Sequence, residues 1–407
     1  MADYEKVSNV ASDDIEKVNN IAKSSIEKIN GLTTPSGTTT ATRWVVASQN
    51  GYLAHAAASD LTSWTAYDAY DEDSQSPTAA QNTGDSESIA FGRNSSGGDV
   101  YLATRSQEHP STAGTKIREL TISGSDVTAS GEWTNIDVDS DANSKNIVMQ
   151  ILWGARSDGT AAGTWIAVGK QGSGEIFRST DGGSSFSAVD ISGLSGHLSG
   201  NNNQPYINGV ASDGQGNWMF AQAARIYYST DDGASWAVST PFSSNTPGRC
   251  QALVYTNSSW VYIYSRGSEI RFRSCAASDI TDWGSEVTNN PADPGGNMQH
   301  TATQGRSVKA TAAGGTVLVA TENDTILNYF TVSGKTIGTP TEVTGFSNIR
   351  GVATDGTTWI VASNGGDLYS AATADLSSWT QRLDGFQSDG SSALNFEAVC
   401  GNVTYPL

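Results

Sequence analysis

The sequence predicts an all-β fold, a seven-bladed β-propeller of four-stranded blades, and three features support this prediction. A short apolar strand, most often opened by a tryptophan, recurs seven times along the chain. The segments between these strands are rich in Gly, Ser, Thr, Asn and Asp, as is typical of many short strands joined by turns. The pattern also starts on one type of strand and ends on another, so we expect the two ends of the chain to complete one blade together.

The repeating unit is clearest in residues 348–384. An inner strand at 349–353 is followed by a turn, by a second strand that begins at Trp359, and by a third strand at 367–370. Alignment on the second strand gives seven such strands, at a spacing expected of propeller blades. These second strands begin at Trp44, Val100, Trp165, Trp218, Trp260, Val317 and Trp359.

The two ends of the pattern predict how the ring closes. The first unit begins at its second strand, at Trp44, with no inner strand before it. The chain finishes with residues 396–400, which match an inner strand that no blade follows. We therefore expect the C-terminal strand to join the first blade, and ring closure of this kind removes the exposed edges that an open stack of sheets would have.

Two turns between outer strands carry the same motif. Residues 229–236 read S-x-D-x-G-x-S-W, and a near copy at 179–186 has Phe186 in the tryptophan position. In such a turn the Asp can accept N–H groups, the Gly supplies a positive φ, and the Trp can fold back between sheets. The motif resembles the Asp-box of the sialidase/BNR-type β-propellers, which implies a turn on the face away from any active site. Related turns without the Gly indicate a second turn type, and they end at Trp64, Trp283 and Trp379.

Residues 1–36 form a leader with an 11-residue repeat. Its later copies start with a capping-box pattern, so we predict a short helical segment, either as helices laid end to end or as one helix that favours a right-handed supercoil. An apolar stripe in so short a segment cannot bury itself and needs a partner. Residues 37–42 are expected to be a flexible linker, and residues 43–407 the propeller. The stripe consists of Val7, Val10, Ile15, Val18, Ile21, Ile26 and Ile29.

The third copy of the repeat, residues 26–31, reads I-E-K-I-N-G. This leader resembles the I-x-K-[VI]-N-G leaders of tailed-bacteriophage virion proteins. The resemblance implies a virion protein, made in the host cytoplasm, that docks on other virion proteins through residues 4–32. The alternative is a solvated leader, or a helix packed on the chain's own propeller.

The formal net charge of −19 argues against partnership with nucleic acid or with an anionic membrane surface. No apolar run is long enough to insert into a membrane. The three cysteines are widely spaced and predict buried small hydrophobes, with no disulfide framework and no zinc site.

No cofactor is expected, and one segment raises the alternative of calcium. Asp137, Asp139 and Asp141 alternate as the oxygen ligands of a calcium loop do. The sixth position of that loop is Ala142 where the pattern has Gly, and the twelfth is Val148 where it has Glu. These departures favour a solvated acidic loop.

Two places are candidates for ligand binding. One is the rim formed by long polar loops, where host surface glycans are the expected ligand and the alternative is sequence drift in solvent-exposed loops. The loops are residues 68–86, 137–146, 190–205, 288–304 and 383–395. The other is the mouth of the central channel, where polar groups would bind sugar hydroxyls and a tryptophan would stack on a ring. The alternative for the mouth is a water-filled channel plugged by side chains. The aligned residues at the mouth are Trp153, Asn208, Gln251, Arg350 and Glu397.

The sequence favours a structural role over catalysis. The front of the chain lacks the arginine motif of sialidases, and Arg178, Arg271 and Arg273 fall in third strands, away from the channel mouth. No catalytic residue is therefore assigned. The predicted function is that of a phage virion structural protein, such as a capsid decoration, a head fibre or a tail-associated appendage. The alternatives are a glycan-degrading hydrolase, either a depolymerase or sialidase-like, and a host-type assembly factor.

Overall fold

The computed structural model separates the chain into two compact units, Met1–Thr39 and Thr40–Leu407. The structure describes residues 17–18, 21–22, 28–29, 32–33, 41–48, 52–68, 88–107, 114–123, 126–129, 134–135, 147–170, 176–194, 207–222, 225–239, 251–266, 269–289, 308–321, 325–387 and 395–403.

In the first unit, the described residues form two pairs of very short strands. Strand β1 (Lys17–Val18) pairs with β2 (Ile21–Ala22), and β3 (Lys28–Ile29) pairs with β4 (Leu32–Thr33). At these residues the prediction of helix is wrong. The register leaves Asn-Asn in the first pair and Asn-Gly in the second between the paired residues, and such dipeptides favour two-residue hairpin loops over a continued helix. The rest of the leader, with Val7, Val10, Ile15 and Ile26, lies outside the described residues.

The second unit is a seven-bladed β-propeller, as predicted, with antiparallel blades. Blade 1 contains β5 (Arg43–Ser48), β6 (Tyr52–Ala57) and β7 (Thr65–Asp68). Blade 2 contains β8 (Ile89–Arg93), β9 (Asp99–Gln107), β10 (Gly114–Ser123), β11 (Asp126–Ala129) and β12 (Thr134–Asn135). Blade 3 contains β13 (Ile147–Gly154), β14 (Thr164–Lys170), β15 (Ile176–Ser179) and β16 (Ser187–Val189). Blade 4 contains β17 (Ile207–Ser212), β18 (Trp218–Gln222), β19 (Arg225–Ser229) and β20 (Ala237–Ser239).

The remaining strands complete the ring. Blade 5 contains β21 (Gln251–Thr256), β22 (Ser259–Arg266), β23 (Glu269–Ala276) and β24 (Val287–Asn289). Blade 6 contains β25 (Val308–Ala313), β26 (Thr316–Thr321), β27 (Ile326–Ser333), β28 (Thr336–Ile337) and β29 (Thr341–Thr344). Blade 7 contains β30 (Ile349–Thr354), β31 (Thr358–Ser363), β32 (Leu368–Ala372) and β33 (Thr380–Leu383). The last strand is β34 (Phe396–Gly401).

The predicted closure is confirmed. Strand β34 pairs with β5 as the inner strand of blade 1, from Phe396 opposite Ser48 to Gly401 opposite Trp44. All six residues of β34 are buried. The inner strands of neighbouring blades contact one another around the whole ring, including β34 with β8 and with β30.

The core lies between the blades, because each sheet has an apolar face on both sides. Seven clusters of buried residues fill these interfaces. The tryptophans that open second strands are at most 1% exposed, which explains why this position repeats along the sequence. They are Trp44, Trp165, Trp218, Trp260 and Trp359.

The connections fall on two faces, because consecutive strands of a blade are antiparallel. We call the face with the connections between first and second and between third and fourth strands the turn face. The opposite side, the loop face, carries the connections from each outer strand to the next inner strand. The five long loops of the sequence analysis belong to the loop face, and apart from their ends they lie outside the described residues.

The first and last described residues of the propeller lie on the turn face, where β5 begins and β34 ends. Ala41 is buried, and its N–H donates to Asp355 Oδ2 over 2.9 Å. The N–H groups of Thr42 and Arg43 both donate to Asn402 Oδ1, over 2.8 and 2.9 Å. The last residues of the predicted flexible linker are therefore fixed to the propeller, since each has specific hydrogen-bond partners.

Candidate functional site

The central channel is lined by the inner strands of all seven blades and encloses a cavity of ≈ 160 Å³. Its wall is mostly aliphatic, as expected from inner strands rich in Val, Ala, Leu and Ile. Charged and amide side chains in the wall are Gln150, Lys309 and Glu397.

Two of the predicted mouth residues meet in the structure. Arg350 Nη1 donates to Glu397 Oε2 over 3.1 Å, and the two side chains are 14% and 6% exposed. Each follows the first residue of its inner strand, at a β-bulge, in blades 7 and 1. This ion pair connects the two blades at the closure of the ring, so both groups already have a charged partner.

Asn208 occupies the equivalent position in blade 4, whereas Gln251 in blade 5 has the register of Ile349, because β21 has no bulge. Asn208 lies in the bulge of β17, and Gln251 begins β21 opposite Tyr264. The structure describes only the backbone of these two residues.

The assignment of Trp153 to the channel mouth is wrong. Its side chain is 6% exposed, and its indole N–H donates to Ala162 O over 2.9 Å. The ring occupies space that a Cβ on Gly92 or Gly163 would fill, at approaches of 2.4 Å for both. Trp153 is therefore core between blades 2 and 3, and the bulge residue equivalent to Glu397 in blade 3 is Met149.

Sequence reasoning missed two contacts that join inner strands across blades. The N–H of Ile151 in blade 3 donates to Ser88 Oγ of blade 2 over 3.2 Å. The N–H of Val210 in blade 4 donates to Gln150 Oε1 of blade 3 over 2.9 Å. The sequence signal for this role is a polar residue near the start of an apolar inner strand.

The two S-x-D-x-G-x-S segments form almost identical turns on the turn face. Asp181 Oδ1 accepts Ser179 Oγ–H at 2.7 Å and Ser185 N–H at 3.0 Å. Asp231 Oδ1 accepts the same groups of its own turn at 2.7 and 2.9 Å. Burial alone would raise the pKa of both carboxyls, but hydrogen bonds from the serines outweigh it and hold each pKa below its usual value.

The second turn type is also present, in blades 1, 5 and 7. An Asp carboxylate accepts the N–H and the hydroxyl of the Thr or Ser two residues later, as Asp60 does with Thr62 at 3.0 and 2.6 Å. In each turn the closing indole N–H donates to a carbonyl three residues back. The carboxylates and the indoles are thus used within the turns, which supports a structural role for both turn types.

One turn also contacts the neighbouring blade. Asp232, at φ +60°, accepts Ser157 N–H through Oδ1 and Ser157 Oγ–H through Oδ2, both at 2.9 Å. Arg178 Nε donates to the carbonyl of Asp232 over 2.7 Å. These bonds fix the turn of blade 4 to blade 3, and they show that Arg178 has a structural partner.

The other two arginines of the sequence analysis belong to a charged cluster on blade 5. Glu286 accepts hydrogen bonds from Tyr264 and Arg271, and Arg273 Nη2 lies 3.9 Å from Glu286 Oε2. Burial and the hydrogen bond to Glu286 raise the pKa of Tyr264 to about 12. Tyr264 is thus a protonated donor at neutral pH, and it is a poor nucleophile in that state.

Metal and membrane features are limited in the part of the chain that the structure describes. Asp137, Asp139 and Asp141, the calcium candidates, lie outside that part. Among the described residues no group of three or more His, Cys, Asp or Glu is placed to hold a metal ion. None of the described segments is a helix long and apolar enough to cross a membrane. Cys275 and Cys400 are buried free thiols.

No family model and no curated protein matches the chain. Solved structures with a similar fold include a putative 6-phosphogluconolactonase from Bacteroides uniformis, at 11% identity and a TM-score of 0.53 over 88% of this chain and 98% of that one. A functionally unknown protein from Desulfotomaculum acetoxidans is similar at 9% identity and a TM-score of 0.51, over 88% of this chain and 99% of that one. A protein from Lactobacillus plantarum is similar at 11% identity and 0.50, over 88% and 98%. At such identities the likeness supports the propeller fold alone.

Proposed function

We propose that this protein is a structural component of a tailed-phage virion, anchored by its leader and presenting the loop face of its propeller. In the particle it would serve as a capsid decoration, a head fibre or a tail-associated appendage. The ligands proposed for the loop face are glycans of the host surface.

The placement of Ala41 is the observation that carries this proposal. The leader precedes Ala41, and Ala41 is fixed to the turn face by Asp355. The long loops leave from the other face. A protein held through its leader can therefore keep its long loops accessible, which is the arrangement that a display role requires.

The character of the leader supports an anchoring role. Its apolar stripe repeats every 11 residues, whereas the seven core clusters of the propeller consist of residues from Ala41 onward. These clusters are built from the propeller's own residues, and we propose that the stripe packs against a partner in the virion.

Deletion of residues 1–36 tests the proposal. The shortened protein is expected to retain the circular dichroism spectrum and the melting temperature of the propeller, and to be absent from purified virions. A matched control replaces the leader's Lys17 and Lys28 with Gln, which keeps the apolar stripe and should keep incorporation. Incorporation of the shortened protein at the normal copy number would refute anchoring by the leader.

A glycan array on residues 40–407 tests the second half of the proposal. Retention of at least one class of surface glycan is the expected result, and exchange of loop-face residues should abolish it. If the array is negative throughout, the propeller is a structural disc without a glycan ligand.

A glycan hydrolase is the second candidate, and the cluster at Glu286 is the observation that favours it. A tyrosine hydroxyl bonded to a carboxylate is a pairing that can activate a nucleophile. The high pKa of Tyr264 opposes this role at neutral pH. Release of reducing sugar by the protein, lost in Glu286→Gln and kept in Glu342→Gln, would establish the hydrolase and displace the structural proposal.

A further inference from the structure

At one register of the inner strands, backbone N–H groups point away from their own second strand and toward the preceding blade. In blades 3 and 4 these donors are the N–H groups of Ile151 and Val210, which pair with Ala167 and Phe220 of their second strands. Both are bonded by a side chain of the preceding blade. Val352 in blade 7 has the same register, opposite Val361, so its N–H also points out of its sheet toward the preceding blade.

A side chain at one inner-strand position begins beside the next blade's donor. A Cβ on Gly209 would lie 2.9 Å from the backbone N of Leu253, and one on Gly351 would lie 3.2 Å from the N of Val399. Gln150 holds this position in blade 3 and uses it to reach Val210. The side chain at this position therefore decides whether a blade supplies a hydrogen-bond acceptor for the backbone N–H of the next blade.

In blade 6 this position is Lys309, opposite Ala320 in the ladder. An ammonium group is a donor with no acceptor capacity, so Lys309 cannot do for Val352 what Gln150 does for Val210. Among the described residues, the Lys309 ammonium has no ion-pair or hydrogen-bond partner. Lys309 and Val352 both line the channel, and by this register the charged side chain begins beside the Val352 N–H.

The neighbouring blade interface shows what chemistry suits this place. Between blades 7 and 1 a carboxylate, that of Glu397, meets the guanidinium of Arg350 at the mouth of the same channel. Between blades 6 and 7 the cation is present, and no carboxylate of the described residues forms an ion pair with it. The rest of the wall is mostly aliphatic and the cavity is ≈ 160 Å³.

We propose that the axial channel binds a small organic monocarboxylate, whose oxygens accept the Val352 N–H and the Lys309 ammonium. The single uncompensated cation fits a monoanion, and the aliphatic wall fits a short alkyl chain. This site is separate from the glycan ligand proposed for the loop face, and neither proposal depends on the other.

Amide NMR of the full chain tests the site. Titration with acetate and then with butyrate, at constant ionic strength, should give a saturable shift of the Val352 amide signal, with tighter binding of butyrate. Lys309→Met should weaken binding at least tenfold, and Lys309→Arg should retain most of it. Lys335→Met is the matched control, because Lys335 is an exposed lysine paired with Asp282, and it should change nothing.

Three results would overturn the proposal. One is the absence of a saturable shift at Val352, and another is an equal affinity in Lys309→Met and the parent protein. The third is sulfate binding as tightly as butyrate, which would show that the site recognises charge without regard to the carboxylate or the alkyl chain.

Discussion

The carboxamide of Asn402 is hydrogen-bonded to Thr42 from the opposite end of the chain, 360 positions away. Its Oδ1 accepts the N–H of Thr42 at 2.8 Å and that of Arg43 at 2.9 Å, and its Nδ2 donates to Thr42 Oγ1 at 2.8 Å. One side chain therefore fixes the first strand of the propeller to its last strand, next to the point where the leader joins.

Asn402→Ala is expected to lower the free energy of unfolding. The change removes three hydrogen bonds and leaves two backbone N–H groups dependent on water, so the expected loss is about 1–3 kcal/mol. Thr42→Val removes only the bond from Asn402 Nδ2 and should cost less. Urea denaturation of both variants measures the difference, and an equal loss in the two would contradict the role given to Oδ1.

Strand β34 should be required for folding, but its position in the sequence should be exchangeable between the C-terminus and the start of the propeller. Deletion of residues 395–407 leaves blade 1 without its buried inner strand, so we expect an aggregating or unfolded product. A circular permutant that places residues 395–403 before residue 41 restores the same ladder, because Gly401 lies opposite Trp44. Size-exclusion chromatography should show a folded monomer for the permutant alone, and failure of the permutant to fold would contradict the closure.

Asp232→Ala should destabilise the contact between blades 3 and 4. It removes both acceptors for Ser157 and places Ala at a positive φ of 60°, so a loss of about 2–4 kcal/mol is expected. Asp232→Asn keeps one acceptor and tolerates the backbone conformation, and its loss should be about half as large. Thermal unfolding distinguishes them; a milder effect of Ala than of Asn would argue against this account.

The lowered pKa values of Asp181 and Asp231 predict a loss of stability in acid. Each folded-state pKa lies below the ordinary value of 3.8, so these carboxylates stabilise the fold above that value. This stabilisation disappears as the pH falls through the lowered folded-state pKa. The double variant Asp181→Asn/Asp231→Asn should be less stable at neutral pH and show a flatter stability profile between about pH 5 and about pH 2. Glu342→Gln, a change outside these turns, serves as the control and should keep the parent profile.

Gly209→Ala should be destabilising although alanine is a small residue. Its Cβ would lie 2.9 Å from the Cα of Ala252 in the next inner strand, so the channel wall must shift, at a cost of about 1–3 kcal/mol. Gly193→Ala meets nothing within 4 Å and should be neutral. Differential scanning calorimetry compares the two variants, and equal melting temperatures would contradict the close approach of the inner strands.

The leader shows where a local pattern pointed to the wrong element. The capping-box residues favoured a helix, whereas Lys17–Val18 pairs with Ile21–Ala22 around Asn-Asn, and Lys28–Ile29 with Leu32–Thr33 around Asn-Gly. Both signals are present in the sequence. The described residues form the strand pairs, and the rest of the leader lies outside them.

The sequence by itself determined the strand order of the propeller and the way it closes. Second strands such as that at Trp359 are fully buried and repeat the same few side chains, so their apolar pattern and the turns around them were readable locally. The inner-strand pattern at 396–400 had no blade of its own, and the first blade, which begins at Trp44, had no inner strand, so the two could be matched from the sequence.

Only the tertiary structure decided which inner-strand side chains meet the channel. Trp153 pairs with Trp165 at the turn-face end of β13, four residues after the bulge at Met149, and its ring lies against Gly92 and Gly163 instead of at the mouth. Lys309 is part of the proposed carboxylate site only because its position lies beside Val352, a residue of the next blade. Contacts between blades join residues far apart in the chain, and the periodicity within one blade carries no information about them.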